Sequence, residues 1–133
     1  MCDAGLLAVS EQGPRGRKEY TITEAGRTQL VHWLAETEPN RVRRSESLLR
    51  VFFLGSLTRE QAVDYLHKEA EVTRRRQAIL QMIDERADWE ADDIAIYGHL
   101  ALEYGHRLMA MYLEWIDWAV DQINTRHARA ADA

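Results

Sequence analysis

Three cationic side chains near the start of the chain lie in a predicted turn that could bind a polyanion. Arg15, Arg17 and Lys18 stand beside Pro14 and Gly16, which are typical of a turn. Such a turn would carry its charges at the tip, where they could contact the phosphates of a nucleic acid. A solvated turn with no ligand is the simpler alternative, and the residues of the turn leave both interpretations open.

A second group of side chains has the spacing of metal ligands. His99, Glu103 and His106 recur about one helical turn apart, which can place ligands on one helix face. We expect that face to be an ordinary polar surface, since no fourth ligand or supporting partner accompanies it, and we predict no metal site. The sequence also has no pattern of a phosphate-binding glycine loop, a nucleophile elbow or paired catalytic carboxylates. We therefore predict a protein that is not an enzyme and needs no cofactor.

Two indoles near the end of the chain could bind a flat apolar molecule. Trp115 and Trp118 lie one helical turn apart, beside Met111 and Tyr112. Aromatic walls with few polar groups suit such ligands. The same residues could instead fill a dry core between helices, so a ligand site and a core without a cavity both remain open.

Length and charge limit the classes of protein to consider. The chain has 133 residues, the size of one domain, and a net charge of −5 from 17 basic and 22 acidic residues. This balance argues against binding nucleic acid through overall charge, although a local basic patch still acts over the short screening distance. Cys2 is the single cysteine, so an internal disulfide is excluded. No apolar run has the length of a membrane span, and we expect a cytoplasmic protein without a membrane partner.

The cationic turn needs two strands to position it. Leu7 and Val9 before the turn, and Tyr20 and Ile22 after it, show the alternation of short half-buried strands. Together they predict a β-hairpin. Thr23 is placed to cap a helix that we expect to reach about residue 37.

Three further helices are expected after a polar linker at 38–44. Ser45 should cap the first of them, and its apolar run from Leu48 to Leu54 predicts burial on nearly every side. Thr58 and Gln61 have the pattern of a capping box, which predicts a long second helix. The last helix should end near residue 124.

The last helix carries an apolar stripe that is wider than one partner helix can cover. Its large side chains recur at helical spacing and are rich in aromatic residues and methionine. Each contributes about 1.5–3 kcal/mol when fully buried, so leaving half of them in water would be costly. A second copy of the chain is the simplest partner, and we predict a homodimer. The expected interface residues are Tyr97, Leu100, Tyr104, Leu108, Met111, Tyr112 and Trp115.

Two stretches of the sequence resemble one family of transcriptional regulators. The stretch from Arg15 to Arg27 is similar to the wing of PadR-like regulators, which combine a winged helix-turn-helix with a helical dimerisation domain. The stretch from Arg44 to Phe53 is similar to the opening of the virulence-activator-type C-terminal domain, which accompanies that wing in one branch of the family. The two stretches occur in the order that the family uses.

The resemblance implies a mainly α fold with a small β-hairpin. It implies the later part of a winged helix-turn-helix domain at 1–38, a helical dimerisation domain at 45–125 and a tail at 126–133. In the family a recognition helix precedes the wing, and we find no counterpart for it in this sequence. We therefore expect a truncated PadR-type regulator that binds DNA weakly. The alternative is a dimerisation or protein-interaction module that does not bind DNA itself.

The resemblance also implies specific contacts. Arg15, Arg17 and Lys18 would be the DNA-binding residues of the wing. Some PadR-like proteins sense aromatic or drug-like ligands near the dimer interface, which implies a small aromatic effector at Trp115 and Trp118.

Overall fold

The computed structural model describes residues 5–9, 20–41 and 45–131 of the chain. It contains two compact units, residues 1–44 and residues 45–133. Most described residues are helical, and one two-stranded antiparallel hairpin accompanies them, which confirms the predicted fold class. None of the helices in these ranges is both long enough and apolar enough to cross a membrane.

The first unit consists of the hairpin and one helix. Strand β1 (Leu7–Val9) pairs antiparallel with strand β2 (Tyr20–Ile22), and Leu7 lies opposite Ile22. Helix α1 (Glu24–Glu36) follows β2 after one residue. The two strands lie where the alternation of apolar side chains predicted them.

Thr23 ties the hairpin to the helix and is the predicted cap of α1. Its hydroxyl oxygen accepts a hydrogen bond from the Gly26 N–H at 3.0 Å and donates one to the Gly5 carbonyl at 2.8 Å. The Thr23 N–H donates to the Leu6 carbonyl at 3.1 Å. One residue thus satisfies a free N–H group of the first helical turn and holds the chain that leads into β1.

The second unit begins with the short helix α2 (Glu46–Phe52), followed by one 3₁₀ turn at Leu54–Ser56. Ser45 caps α2, as predicted, because its hydroxyl oxygen accepts a hydrogen bond from the Leu48 N–H at 3.3 Å. Near the end of α2, the Arg50 guanidinium pairs with Glu46 one turn earlier, at 2.7 Å. The start of this unit is therefore determined by contacts within a few residues.

The prediction that α2 is buried on nearly every side is wrong for the described chain. Only Val51 and Leu54 of this segment pack against the core of the unit. The large side chains that remain more than half exposed are Leu48, Leu49, Phe52 and Phe53. An apolar run indicates that burial of the helix is favourable. It does not show that another part of the same chain covers the helix.

Two long helices make up the rest of the second unit. Helix α3 (Arg59–Asp84) begins with the predicted capping box, in which the Thr58 hydroxyl oxygen accepts from the Gln61 N–H at 3.3 Å. The Gln61 side chain in turn accepts from the Thr58 N–H at 3.0 Å. Helix α4 (Asp93–Ala131) returns antiparallel along α3.

The core of the second unit lies between α3 and α4. Leu66 and Ile116 are fully buried, and Ala70 and Ala119 pack beside them. Because alanine has a short side chain, Ala70 and Ala119 leave room for Leu66 and Ile116 in this core. Burying each of the two large side chains contributes about 1.5–3 kcal/mol to stability.

Helix α4 is longer than the sequence predicted. It continues to Ala131, whereas we expected it to end near Asn124. The residues after Asn124 include arginine and alanine, which favour helix, and they contain neither glycine nor proline. Nothing in that stretch stops the helix.

Candidate functional site

The predicted cationic turn belongs to the connection between β1 and β2. Its residues Arg15, Arg17 and Lys18 lie outside the described residues. The register of the hairpin pairs Val9 with Tyr20, which are the described residues on either side of this part of the sequence.

The apolar side of α1 is only partly covered. A cleft of about 460 Å³ lies between the hairpin and this helix, with Leu6, Ile22 and Leu30 in its walls. Trp33 also lines this cleft and is 58% exposed, and the neighbouring Leu34 is 67% exposed. The hairpin alone does not cover the apolar surface of α1.

Five of the predicted interface residues lie together on an exposed face of α4. Their exposed fractions run from 44% for Leu108 to 71% for Tyr97, and their spacing of three or four residues places them on one side of the helix. We name this face the outer stripe; its residues are Tyr97, Leu100, Tyr104, Leu108 and Met111. Helix α3 packs against the side of α4 that carries Ile116 and Ala119 and leaves the outer stripe open.

Tyr112 and Trp115 are placed differently from the outer stripe. Their rings stack with centroids 5.5 Å apart and an interplanar angle of 10°, and both are half-buried against the core between α3 and α4. Trp118, by contrast, is 59% exposed. The structure thus separates the two indoles, since Trp115 lies at the edge of the core and Trp118 faces solvent.

A polar cluster joins α3 and α4 beside this aromatic stack. The Tyr112 hydroxyl donates to Glu69 Oε2 at 3.3 Å, across the two helices. The Tyr65 hydroxyl is buried and has no hydrogen-bond partner among the described residues. Sequence reasoning missed this cluster, because no short-range spacing connects Tyr65 and Glu69 with Tyr112.

The environment of this cluster changes the pKa of both phenols. Burial, followed by the nearby Glu69 carboxylate, raises the pKa of Tyr112 above its ordinary value, while the Ser47 hydroxyl acts in the opposite direction. Burial and Glu69 also raise the pKa of Tyr65, against the lowering effects of Arg50 and Ser47. Both phenols are therefore neutral near pH 7 and can act as hydrogen-bond donors.

The residues with metal-ligand spacing are each engaged differently. His99 stacks on Trp89 with ring centroids 5.2 Å apart, and Glu103 pairs with Arg107 at 2.7 Å. His106 Nε2 is buried without a partner in the described ranges, so His106 is not simply part of a polar surface. Among the residues that the structure describes, no group of three histidine, cysteine or acidic side chains could hold a metal ion.

Comparison with known proteins identifies the family. Residues 43–124, more than half of the chain, match the family described as virulence activator alpha C-term. The negative transcriptional regulator PadR of Bacillus subtilis is 24% identical over an alignment 107 residues long, and the match covers 76% of this chain and 59% of that protein. The chain belongs to the PadR family. This PadR-family chain spans 59% of the length of the relative it matches.

Solved structures share the fold of this PadR-family chain. Bacillus subtilis PadR in complex with operator DNA is similar with a TM-score of 0.68 and 24% identity, over 92% of this chain and 72% of that one. The same protein in complex with p-coumaric acid is similar with a TM-score of 0.69 and 23% identity, over the same shares of the two chains. At this level of identity, the likeness shows the fold.

Proposed function

We propose that the chain acts in a PadR-type transcriptional regulator that binds DNA as a homodimer. The observation that carries the proposal is the family match of residues 43–124. Two findings on relatives support it: one relative is a negative transcriptional regulator, and a solved structure of Bacillus subtilis PadR holds operator DNA.

In this proposal the hairpin contacts the DNA backbone. Arg15, Arg17 and Lys18 would neutralise phosphates, because guanidinium and ammonium groups release condensed counterions when they bind them. Phosphate contacts position a protein on the duplex and carry no sequence information directly. The wing would therefore contribute affinity and orientation, and the affinity would fall steeply with salt.

The outer stripe would form the dimer contact. Soluble monomers rarely leave a contiguous apolar face of this extent in water, and two copies of one helix face can cover each other about a two-fold axis. Tyr104, Leu108 and Met111 lie near the middle of α4, where the facing helices would meet. Tyr112 and Trp115 would support this contact from behind, since their stack already fills the edge of the core.

We also propose a small aromatic effector that docks near Trp115 and Trp118. A solved structure of Bacillus subtilis PadR holds p-coumaric acid, which supports an effector of this chemistry. The half-buried Trp115 would sense the ligand through its stack with Tyr112, and Trp118 would do so through its exposed ring.

An interaction module without DNA binding is the second candidate. The net charge of −5 favours it, because an overall negative charge works against binding to a polyanion. A dimer of this kind would still use the outer stripe, so the two candidates differ only in whether they bind nucleic acid.

Fluorescence anisotropy with a labelled duplex tests the proposal. We expect the wild-type chain to bind at low salt, with a log affinity that falls by about 0.9 per phosphate contact for each tenfold increase in salt. The double variant Arg15→Ala with Arg17→Ala should lose most of this affinity. The double variant Arg74→Ala with Arg75→Ala makes the same charge change on α3 and should retain it. Absence of binding by the wild-type chain at low salt would refute the regulator and favour the interaction module.

A further inference from the structure

A cleft of about 390 Å³ opens at the end of the second unit where α3 begins and α4 nears its last residues. This volume is within the range of sites that bind small organic molecules. One part of its wall is cationic, and another part is aliphatic. We name the second part the aliphatic wall; its residues are Leu54, Leu57, Ala62 and Ile123. Walls of these two kinds suit a ligand with an anionic head and an apolar body.

Two arginines and one histidine form the cationic part of the wall. Arg59 lies in the first turn of α3, and Arg126 and His127 lie near the end of α4. All three side chains are exposed, so a ligand can reach them from solvent. Because they come from two different helices, they can contact an anion from more than one side.

Arg126 and His127 are not engaged with other parts of the chain. Among the residues that the structure describes, neither of them forms a hydrogen bond or an ion pair. Arg50 and Arg107, by contrast, each pair with a glutamate one helical turn earlier at 2.7 Å. Cations near the end of a helix also stabilise that end, so a test of binding has to measure more than the stability of α4.

Arg59 is partly neutralised by an acidic neighbour. Its Nε donates to Glu60 Oε1 at 3.2 Å. A backbone hydrogen bond, followed by the contact with Arg59, lowers the pKa of Glu60, so this carboxylate is ionised near pH 7. Glu60 does not line the cleft. Its charge therefore competes with any anion that binds Arg59.

The position of Arg126 and His127 is specific to the end of α4. The family match stops at residue 124, whereas the helix continues to Ala131. Ile123 packs against the core of the unit, and His127 follows it by one helical turn on the same side of α4. The extension of the helix thus carries these side chains to the cleft.

A phosphate monoester matches the cationic wall better than a carboxylate does. It carries a charge of about −1.5 to −2 at pH 7 and three strong acceptor oxygens. A carboxylate has two oxygens in one plane, which a single arginine can satisfy. Two guanidinium groups and an imidazole on separate helices supply enough donors for all three phosphate oxygens.

We propose that this cleft binds a small organic phosphate monoester, with its phosphate on Arg59, Arg126 and His127 and its apolar body against the aliphatic wall. The binding requires neither DNA nor a dimer, so it does not depend on the regulator proposed above.

Calorimetry of the full chain in a phosphate-free buffer tests the proposal. The probe n-butyl phosphate has both the dianionic head and the apolar body. Inorganic phosphate lacks the body, methyl butyl phosphate is a diester with a single charge, and pentanoate has a carboxylate instead. We expect n-butyl phosphate to bind with a dissociation constant of about 1 mM or below. Each of the other probes should bind about tenfold more weakly or worse.

Two matched variants locate the binding in the cleft. Arg126→Gln should weaken n-butyl phosphate about tenfold, because it removes a charged donor. Arg74→Gln removes an exposed cation roughly 22 Å along α3 from Arg59 and should leave the affinity unchanged. Circular dichroism should show equal helix content for both variants. Failure of the wild-type chain to bind n-butyl phosphate, or equal affinity in Arg126→Gln, overturns the proposal.

Glu60→Gln tests the part of Arg59. The variant removes a negative charge beside the cleft and releases Arg59, so n-butyl phosphate should bind about two- to fivefold more tightly, the size expected for an exposed ion pair. An affinity equal to that of the wild-type chain would overturn the role given to Arg59.

The anisotropy experiment separates a free phosphate monoester from the phosphates of DNA. Arg126→Gln should bind the labelled duplex as the wild-type chain does. If this variant lost affinity for the duplex and the wild-type chain did not bind n-butyl phosphate, the cations would be a DNA contact and the proposed site would be refuted.

Discussion

The backbone of Gly26, in the first turn of α1, lies directly against the carbonyl oxygen of Leu6 just before β1. Gly26 is buried, and a Cβ atom built on it would overlap the Leu6 oxygen and lie 2.9 Å from Cγ1 of Ile22. The absence of a side chain thus lets the helix start on top of the hairpin. Thr23 secures the same junction through its hydrogen bonds to Gly5 and Gly26.

We expect Gly26→Ala to loosen the first unit. Alanine favours helix over glycine by about 0.5–1 kcal/mol, but the new methyl group meets a backbone oxygen that cannot rotate away. Overpacking of this kind costs about 1–3 kcal/mol, so the net effect is destabilising. Hydrogen exchange of the α1 amides should be faster in the variant.

The control is Gly55→Ala, because a Cβ atom at Gly55 has no heavy atom within 4 Å. This variant should leave exchange in α1 at the wild-type rate. If hydrogen exchange of the α1 amides were unchanged in Gly26→Ala, the structure around Gly26 would accommodate the methyl group without loss of stability.

The junctions of this fold were predictable because their signals are local. Thr23 and Ser45 act on N–H groups three residues away, and Thr58 with Gln61 forms a reciprocal pair over the same distance. Strand pairing likewise followed from the alternation of side chains on each side of one turn. Such features depend on a few neighbouring residues and are therefore visible in the sequence.

Features that depend on helix packing were not predictable in the same way. The apolar run of α2 indicated full burial, yet Phe52 is 81% exposed, since α3 and α4 pack mainly on each other. The spacing of the aromatic residues of α4 predicted a single stripe. In the structure Trp115 packs against the core, whereas Tyr97 is exposed to solvent. Periodicity shows which residues share a helix face, whereas the neighbouring elements decide which part of that face is covered.

The polar cluster on α3 and α4 predicts a loss of stability at alkaline pH. The pKa values of Tyr65 and Tyr112 in the folded chain lie above the ordinary value of 10.0. Their contribution to stability is fully present below pH 10 and is lost as the pH rises through the raised values, because the unfolded chain then binds fewer protons than the folded one. Urea unfolding at a series of pH values should show this fall.

Glu69→Gln tests the cause of that pH dependence. Burial is the larger contribution and remains, but the variant removes the carboxylate that adds to it for both phenols. The loss of stability above pH 10 should therefore be smaller than in the wild-type chain. An equal or steeper loss in Glu69→Gln would show that the carboxylate has no part in it.

The outer stripe predicts that Leu108→Glu separates the proposed dimer. Leu108 lies between Tyr104 and Met111 on the exposed face of α4, so the monomer loses little when this side chain changes. In a dimer closed by the outer stripe, the new carboxylate would be buried without a partner. An uncompensated buried charge costs about 3–5 kcal/mol, and a two-fold contact would contain it twice. Sedimentation velocity at micromolar concentration should show a dimer for the wild-type chain and a monomer for the variant.

Ala110→Glu is the matched control for this experiment. Ala110 is also exposed on α4, but it lies about 200° around the helix from Leu108 and outside the outer stripe. The control gains the same charge and should remain a dimer, and circular dichroism should show equal helix content for both variants. A wild-type chain that sediments as a monomer would refute the proposed dimer, because the outer stripe would then be stable in water. A Leu108→Glu variant that stays dimeric would instead show that the two copies meet through another surface.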